Sequence, residues 1–396
     1  MSKWEKVRLG EVGEVVTGKT PPTNKSEYYS SNDIAFYKPN DITESVPIYL
    51  ESATSYLSQS AKSVVRIIPK GSVLVTCIGI IGKVGITQRE STCNQQINAV
   101  IPNGEIINNM FLAFCLLNNR SRITDMANSA VVPIIKKSRF MDVEIPLPPL
   151  QTQQQIAKTL DSVSKLLDMR KQQLTELDNL IKSVFYEMFG DPVVNAKGWE
   201  VVQYKNILVE KPQNGMFAKN SEYSEDGRCG VIWIGDFINK RICDLSNLRT
   251  INASQKDIEK YSVEYGDLLF VRSSLTREGI GKCSIVPIDI NENILFECHI
   301  IRTRVNLDLI NPVFLQAQST TRYFRQQILT NSKTSTMTTI GQDGIISTLI
   351  ILPPITLQNQ FADIVAKIEE EKALVKQAID ETQYLFDSMM SQYFDD

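Results

Sequence analysis

Histidine is almost absent: His299 is the single copy in 396 residues. Such scarcity excludes most imidazole-dependent catalysis and every metal site built from several histidines. Cysteine occurs seven times, an odd number, widely spaced and with no C-x-x-C pair. This fits scattered reduced thiols in a reducing compartment better than a disulfide framework or a zinc site. Long apolar runs are missing as well. Residues 73–81 are far too short to span a bilayer and are interrupted by Gly79, so no membrane association is expected. The opening Met1-Ser2-Lys3-Trp4-Glu5-Lys6 has no apolar stretch behind a basic flank, so no secretory signal is visible and the cytoplasm is the expected location.

The chain also lacks an excess of positive charge, its net charge being −3. That balance is uneven along the sequence. Residues 1–150 carry 16 basic and 13 acidic side chains, residues 151–191 carry 5 and 6, residues 198–352 carry 17 of each, and residues 353–396 carry 3 and 9. Acidity concentrated at the end could not touch phosphates but could lie on a basic partner, so the whole-chain balance is a poor test of nucleic-acid binding. With 42% apolar and 22% charged residues, the chain is an ordinary globular one, long enough for two or three domains.

What is present is a repetition. Pro148, Pro149, Gln153, Gln155 and Ala157 return 205 residues later as Pro353, Pro354, Gln358, Gln360 and Ala362, and the register then holds without a gap to Phe189 and Phe394. Upstream, Trp4-Glu5 matches Trp199-Glu200 and Gly71-Ser72-Val73-Leu74-Val75 matches Gly266-Asp267-Leu268-Leu269-Phe270, both 195 residues apart. Gly82-Lys83 matches Gly281-Lys282 and Phe111-Leu112 matches Phe314-Leu315 at larger offsets. Each copy therefore keeps a framework and changes its loops, as a scaffold with two different reading surfaces would.

Runs rich in β-branched residues at 64–68, 73–77, 268–271 and 349–352 predict strands, separated by turn clusters such as Pro69-Lys70-Gly71. One helix is expected in each block, over 108–117 and over 311–328, with Asn311 as cap and Pro312 at the first helical position. The blocks read as α+β. The proline tracts at 146–149 and 353–354 mark where two much longer helices begin.

Residues 152–189 contain no glycine or proline. Ile156, Leu160, Val163, Leu167, Arg170, Leu174, Leu177, Ile181, Val184 and Met188 follow alternating steps of four and three. The second copy repeats the row as Phe361, Val365, Ile368, Lys372, Val375, Ile379, Thr382, Phe386, Met389 and Tyr393. A seam sustained over about five heptads predicts a coiled coil, most simply of the two rows on each other. At 1.5 Å per residue each helix spans about 57 Å, on the order of one to two turns of B-DNA, so the pair would act as a ruler.

No active site is legible. Asn311-Pro312-Val313-Phe314 approaches the N-P-P-[YF] loop of amino-methyltransferases, but the second proline is absent and no glycine-rich nucleoside-binding fingerprint accompanies it, so a helix cap explains it better. Gly82-Lys83 and Gly281-Lys282 lack the remainder of a phosphate-binding loop and are expected as turns before strands. His299 lies in the context Cys298-His299-Ile300-Ile301, which suits a core or contact histidine rather than a catalytic one.

What remains are polar and basic clusters on predicted loops, different in the two copies. The first has Lys19-Thr20, Lys38-Pro39-Asn40, Asn94-Gln95-Gln96 and Lys136-Lys137-Ser138-Arg139; the second has Gln213-Asn214, Arg272-Ser273-Ser274-Leu275-Thr276-Arg277 and Ser332-Lys333-Thr334. Arginine pairs bidentately with guanine, Asn or Gln with adenine, and Lys or Ser with phosphate, so these are candidate DNA contacts. Individually, each is also what a solvated loop looks like.

The I-P-L-P-P-L-x-x-Q-x-x-I-A junction at 145–157, its second copy at 352–362, the Trp-Glu opening of each half and the G-[DS]-x-L strand together resemble the specificity subunit of type I restriction-modification enzymes. The resemblance implies an α+β chain with an internal pseudo-two-fold repeat. Target-recognition domains would occupy 1–150 and 198–352, spacer helices 151–191 and 353–396 would form an antiparallel coiled coil, and 192–197 would be a linker. It further implies that each domain reads half of a bipartite, asymmetric site in double-stranded DNA, while the helices set the spacing and dock two methyltransferase subunits. The chain itself would be non-catalytic and hold no cofactor. S-adenosylmethionine, ATP and Mg would belong to the methyltransferase and restriction subunits. Two other readings stand beside it: a coiled-coil structural or adaptor protein, and the specificity half of a fused restriction-methylation enzyme. Ile355-Thr356 and Phe361 depart from Leu150-Gln151 and Ile156, so the two docking surfaces need not be alike, and Glu369, Glu370 and Glu371 are either part of such a surface or its solvated face.

Overall fold

The computed structural model describes residues 4–43, 48–127, 132–288, 290 and 293–395. The chain forms two compact units, one made of Met1–Gln172 with Lys376–Asp396 and the other of Gln173–Val375. Each is α+β, and each is built to one plan.

In the first unit a five-stranded sheet runs in the order Gly13–Thr17, Ile97–Pro102, Val73–Thr76, Val84–Thr87, Ile48–Leu50, antiparallel except for its last pair. A three-stranded sheet, Tyr56–Leu57, Ile34–Tyr37 and Ser91–Cys93, accompanies it. The second unit repeats this as Gln213–Asn214, Ile300–Thr303, Leu268–Val271 and Cys283–Ile285, and as Arg249–Ile251, Cys229–Ile232 and Ile294–Phe296. In both, the strand after the Trp-Glu opening pairs antiparallel with the strand entering the proline tract: Lys6–Arg8 with Glu144–Pro146, and Glu200–Gln203 with Leu349–Leu352.

The long helices are Leu150–Phe189 and Ile355–Phe394. Each starts directly after its prolines, whose carbonyls at Pro149 and Pro354 accept the first helical N–H bonds. The first helix stops at Gly190, whose φ of +76° suits a residue without Cβ, and the Lys197 ammonium caps the carbonyls of Glu187 and Met188 at 2.8 and 2.9 Å. The repeated glutamine has a defined task. Buried Gln153 accepts the Asn108 N–H at 2.9 Å and donates to the carbonyls of Ile106 and Pro148, and buried Gln358 accepts from Asn311 at 2.9 Å and donates to Leu309 and Pro353. One amide thus joins the shorter helix's N-terminus to the long helix in each copy, satisfying three backbone groups.

Every seam position is covered. Ile156, Leu160, Leu167, Ile181, Phe361, Val365, Ile368, Val375 and Phe386 are buried, and Val163, Leu174, Leu177 and Ile379 are half-buried. The helices run antiparallel and pair within each unit. Arg170 donates to the Ala378 carbonyl and the Thr382 hydroxyl in the first, and Lys372 meets Asp178 at 2.7 Å and Glu369 at 3.0 Å in the second. The polar exceptions in the two rows are therefore the residues that bond between the helices, and such groups fix register. Glu369 also meets Arg241 at 3.2 Å, so it is committed inside the second unit, whereas Glu370 and Glu371 are exposed.

Toward their ends the helices leave the heptad row and join the cores. Phe185 and Phe189 are buried where Val184 and Met188 are only half-buried, because they pack on Phe314 at 5.7 and 4.7 Å and on Phe361. In the first unit Phe386 of the row is joined in the core by Met390 beside it, with Phe394 near Phe111 at 5.5 Å and Phe386 near Phe114 at 6.1 Å.

Several local expectations are corrected. Residues 64–68 form no strand: after the 3-10 turn Gln59–Ser63, Val64, Val65 and Ile67 cover Tyr28, Phe36 and Leu57 as irregular chain, and Ile68 alone bridges to Ser91. The expected helix over 311–328 is two, Pro312–Ser319 and Arg322–Asn331, because the Thr321 side chain caps the second. Each block has more than one helix, Arg120–Asp125 and Gln255–Tyr261 among them. Candidate clusters also lie on regular elements: Lys136 directly precedes the helix Lys137–Met141, which carries Arg139, and Gln213–Asn214, Ser273–Ser274 and Lys333–Thr334 are short strands. His299 is exposed and not a core histidine. Among the described residues no helix is long and apolar enough to cross a membrane.

Candidate nucleic-acid interface

In the first unit the chain leaving strand Gly13–Thr17 presses against a tight turn. Gly18 N–H donates to the Ile97 carbonyl at 3.0 Å and Lys19 N–H to that of Cys93 at 2.9 Å, so a Cβ on Gly18 would lie 2.2 Å from the Asn94 oxygen. The turn is Asn94-Gln95-Gln96. Asn94 is buried and closes it by accepting the Gln96 N–H at 3.1 Å and donating to the Gln96 side chain at 2.8 Å, while Gln95 is exposed and bonds Thr20 at 2.6 Å. The Gln96 carbonyl accepts from Cys77, whose own carbonyl accepts from Ile135. Lys19, Thr20, Gln95 and Gln96 are therefore brought together, and the segment leading into Lys136, Lys137 and Arg139 is tied to them.

Two candidates are less free than expected. Lys38 donates to Ser55 at 2.8 Å and lies 5.4 Å from the Phe36 ring, and the Arg139 guanidinium donates to the Met126 carbonyl at 3.1 Å. Asn40 is exposed nearby, and the Asn94 N–H reaches the adjoining Tyr37 carbonyl.

The second unit builds the same turn from different side chains. Gly215 N–H donates to Ile300 at 3.1 Å and Met216 N–H to Phe296 at 2.8 Å, and a Cβ on Gly215 would lie 2.1 Å from the Glu297 oxygen. Glu297, Cys298 and His299 occupy the turn. The buried Glu297 carboxylate accepts the His299 N–H at 2.9 Å, as Asn94 does for Gln96. Arg272 N–H donates to the His299 carbonyl, Ile340 N–H to the Arg272 carbonyl, and the Arg272 guanidinium to Cys298 at 3.1 Å. Asn214 accepts from Gln342 at 3.1 Å, Ser273 and Ser274 pair with Thr339 and Thr338, and those pair in turn with Lys333 and Thr334. Gln213, Asn214, Arg272, Ser273, Ser274, Lys333 and Thr334 thus surround one turn, with exposed Arg277 on the loop beyond.

The candidates chosen from sequence omitted Glu297, Cys298, His299 and Gln342. The signal for the turn lay in the repeat: the offset of 203 between Phe111 and Phe314 also aligns Asn94-Gln95-Gln96 with Glu297-Cys298-His299. Glu297, Cys298 and His299 place one donor atom each within 4.8 Å of the others, but the carboxylate already closes the turn and a guanidinium stands beside it. Burial, then the neighbouring Glu297, raises the Cys298 thiol above its ordinary pKa; the other six thiols are buried, Cys77 and Cys283 being pushed up to about 12 by desolvation. The buried thiols act as packing groups. Gly82 and Gly281 are left-handed turns, at φ +82° and +62°, and Lys83 and Lys282 beside them reach Pro39 and Asn239.

Residues 1–179 match the family model described as the type I restriction modification DNA specificity domain. Over 389 residues the chain is 24% identical to the type I restriction enzyme MjaIX specificity subunit of Methanocaldococcus jannaschii, covering 93% of this chain and 87% of that one. Over 364 residues it is 24% identical to the EcoKI specificity subunit of Escherichia coli, covering 86% and 72%. Residues 1–179 thus match a type I DNA specificity domain, and over most of its length the chain is similar in sequence to type I specificity subunits. Solved structures agree on the fold: the S subunit of a type I restriction-modification system from M. genitalium superposes with a TM-score of 0.57 at 14% identity, covering 100% of this chain and 96% of that one. A chain from a structure on complex assembly and conformational transition of a type I system gives 0.57 at 18%, covering 98% and 97%.

Gly18 and Gly215 are the closest backbone approaches at the two turns. Gly215→Ala is expected to destabilise the second unit by about 1–3 kcal/mol, since Cβ meets backbone that cannot swing aside. Chemical denaturation checks this, and an unchanged midpoint would refute the close approach.

Proposed function

We propose that this chain is the DNA-reading subunit of a type I restriction-modification complex and that its two units read the two halves of a bipartite, asymmetric site. The observation that carries the proposal is one backbone turn built twice, with Asn94, Gln95 and Gln96 in one unit and Glu297, Cys298 and His299 in the other. Around the first, amides and lysines suit adenine edges and phosphates; around the second, Arg272, Ser273, Ser274, Lys333 and Thr334 suit guanine and phosphates. The long helices, about 60 Å each at 40 residues, set the spacing between the half-sites and carry two methyltransferase subunits. Adenine extrusion and methyl transfer then occur in those subunits and cleavage in restriction subunits, with S-adenosylmethionine, ATP and Mg held there and not by this chain. The complex works in the cytoplasm.

The test is an exchange. Because Phe386 and Met390 complete the first core, the graft takes residues 1–172 together with 376–396 from a relative. Methylation mapping of cells carrying the chimera and its partners is expected to show one half-site changed and the other kept; two altered half-sites would end the modular reading. Duplex binding that weakens steeply with salt separates this function from a coiled-coil adaptor. Absence of methylation by the chain on its own separates it from a fused enzyme.

A further inference from the structure

Beside each turn a loop carries an exposed aliphatic side chain. In the first unit, residues 77–82 leave strand Val73–Thr76 and close where Gly82 N–H returns to the Thr76 carbonyl at 2.9 Å. In the second, residues 272–281 leave Leu268–Val271 and close where Gly281 N–H returns to Val271 at 2.9 Å. The loops occupy equivalent places in the repeat, although the second is longer. The first carries Ile80 at 51% exposure, and the second carries Leu275 at 84%. Neither is loosely held. The Thr76 hydroxyl donates to the Ile80 carbonyl at 2.6 Å, and the Ser274 hydroxyl accepts the Thr276 N–H at 3.2 Å, with Gly279 packed so closely that a Cβ there would lie 2.4 Å from that hydroxyl.

We propose that Ile80 and Leu275 each read the C5 methyl group of a thymine in the major groove of their own half-site. The inference rests on the DNA-reading function above and adds a contact to it. The surroundings argue for nucleic acid as the occupant. Leu275 lies in sequence between Arg272 and Arg277, and the strand before it joins the sheet that carries Lys333; the Ile80 loop bonds through Gly79 to Pro133, three residues before Lys136 and Lys137. Exposed Arg277 on one loop, and exposed Lys136 and Lys137 on the segment tied to the other, favour a duplex over an apolar protein partner. Among groups that bind base edges, an aliphatic carbon has one natural counterpart in the major groove, the thymine methyl. That the feature occurs in both copies, on loops of different length and sequence, argues for selection of the contact and not of the residue.

The experiment uses the chain assembled with its methyltransferase partners and the site found by methylation mapping. Each thymine of both half-sites is replaced in turn by deoxyuridine, which removes only the methyl group, and affinity is measured for the parent, Ile80→Ala and Leu275→Ala. The parent is expected to lose about 3- to 5-fold at one thymine in each half-site, the factor for one buried methyl. Leu275→Ala should be weaker by a similar factor on the natural site, indifferent to uracil at the second unit's thymine, and still sensitive at the first unit's; Ile80→Ala should do the reverse. A parent insensitive to every replacement, or a variant that keeps the full loss, overturns the contact while leaving DNA reading intact. A complex with no preference for any sequence sinks both. Both side chains are exposed, so the variants fold as the parent does.

Discussion

Removing residues 170–176 together with 372–378 is expected to shorten the tolerated spacer between half-sites by about three base pairs or to abolish binding. Seven residues of helix are about 10 Å, and one base pair rises about 3.4 Å. The deletion is chosen from the packing. The segments give up seam residues Leu174 and buried Val375 but none of the two main core clusters: the first unit uses the helices up to Leu167 and from Ile379, the second from Leu177 and up to Ile368. Taking a whole heptad from both keeps every remaining seam residue on its own face, so Leu167 and Phe386 stay in one unit and Ile181 and Val365 in the other. The cross-helix bonds of Arg170 and Lys372 are lost, which costs some stability but moves no other register. Methylation mapping with spacer-length variants gives the answer. An unchanged spacer, with full activity, would mean that the helices do not measure the site.

Asp267→Ala is expected to destabilise the second unit by about 3–5 kcal/mol, the range for breaking a buried ion pair from one side. The Asp267 side chain is fully buried and makes two 2.9 Å bonds to Arg304, with Arg302 at 3.9 Å; Arg302 in turn meets Glu210 at 2.6 Å. Burial pulls both guanidinium pKa values down. At Arg302 it prevails, whereas at Arg304 the bonds and charge of Asp267 outweigh it and raise the pKa. Without the carboxylate, two cations face each other with Glu210 and Glu264 as the remaining counterions, both of them partly solvated. The repeat supplies its own control. The equivalent position in the first unit is Ser72, whose hydroxyl donates to Pro69 at 2.8 Å, and its loss in Ser72→Ala should cost about 0.5–1.5 kcal/mol. Urea melts of the two variants compare the effects; equal midpoints would show that the ion cluster contributes nothing net.

The parts of the fold legible in sequence are those that depend on local backbone demands. Prolines before a helix, a glycine at a left-handed turn and a seam with a period near 3.5 announce themselves within a few residues, and Gln153 and Gln358 stood out because one job is done twice. Partners far apart in the chain were not legible. In sequence Arg170 and Lys372 only interrupt their apolar rows, because their partners Thr382, Ala378 and Asp178 lie on the other helix. The residues at 64–68 have strand propensity, but their side chains are used to cover Tyr28, Phe36 and Leu57, and the bonding edge of Ile34–Tyr37 is taken by Tyr56–Leu57 and Ser91–Cys93. The second turn was missed for a chemical reason: Glu297, Cys298 and His299 do not look like base readers, and only their place in the repeat marks them.

The first unit takes its last wall from Phe386, Met390 and their neighbours, hundreds of residues after its first strand. On the ribosome the half that is synthesised first must therefore wait, its helix Asn109–Asn118 bare on one side, while the later-made half closes from contiguous chain. Translation that stopped some twenty residues early would spare the second unit and leave the first unfinished, so premature termination should yield chains able to recognise one half-site and blind to the other.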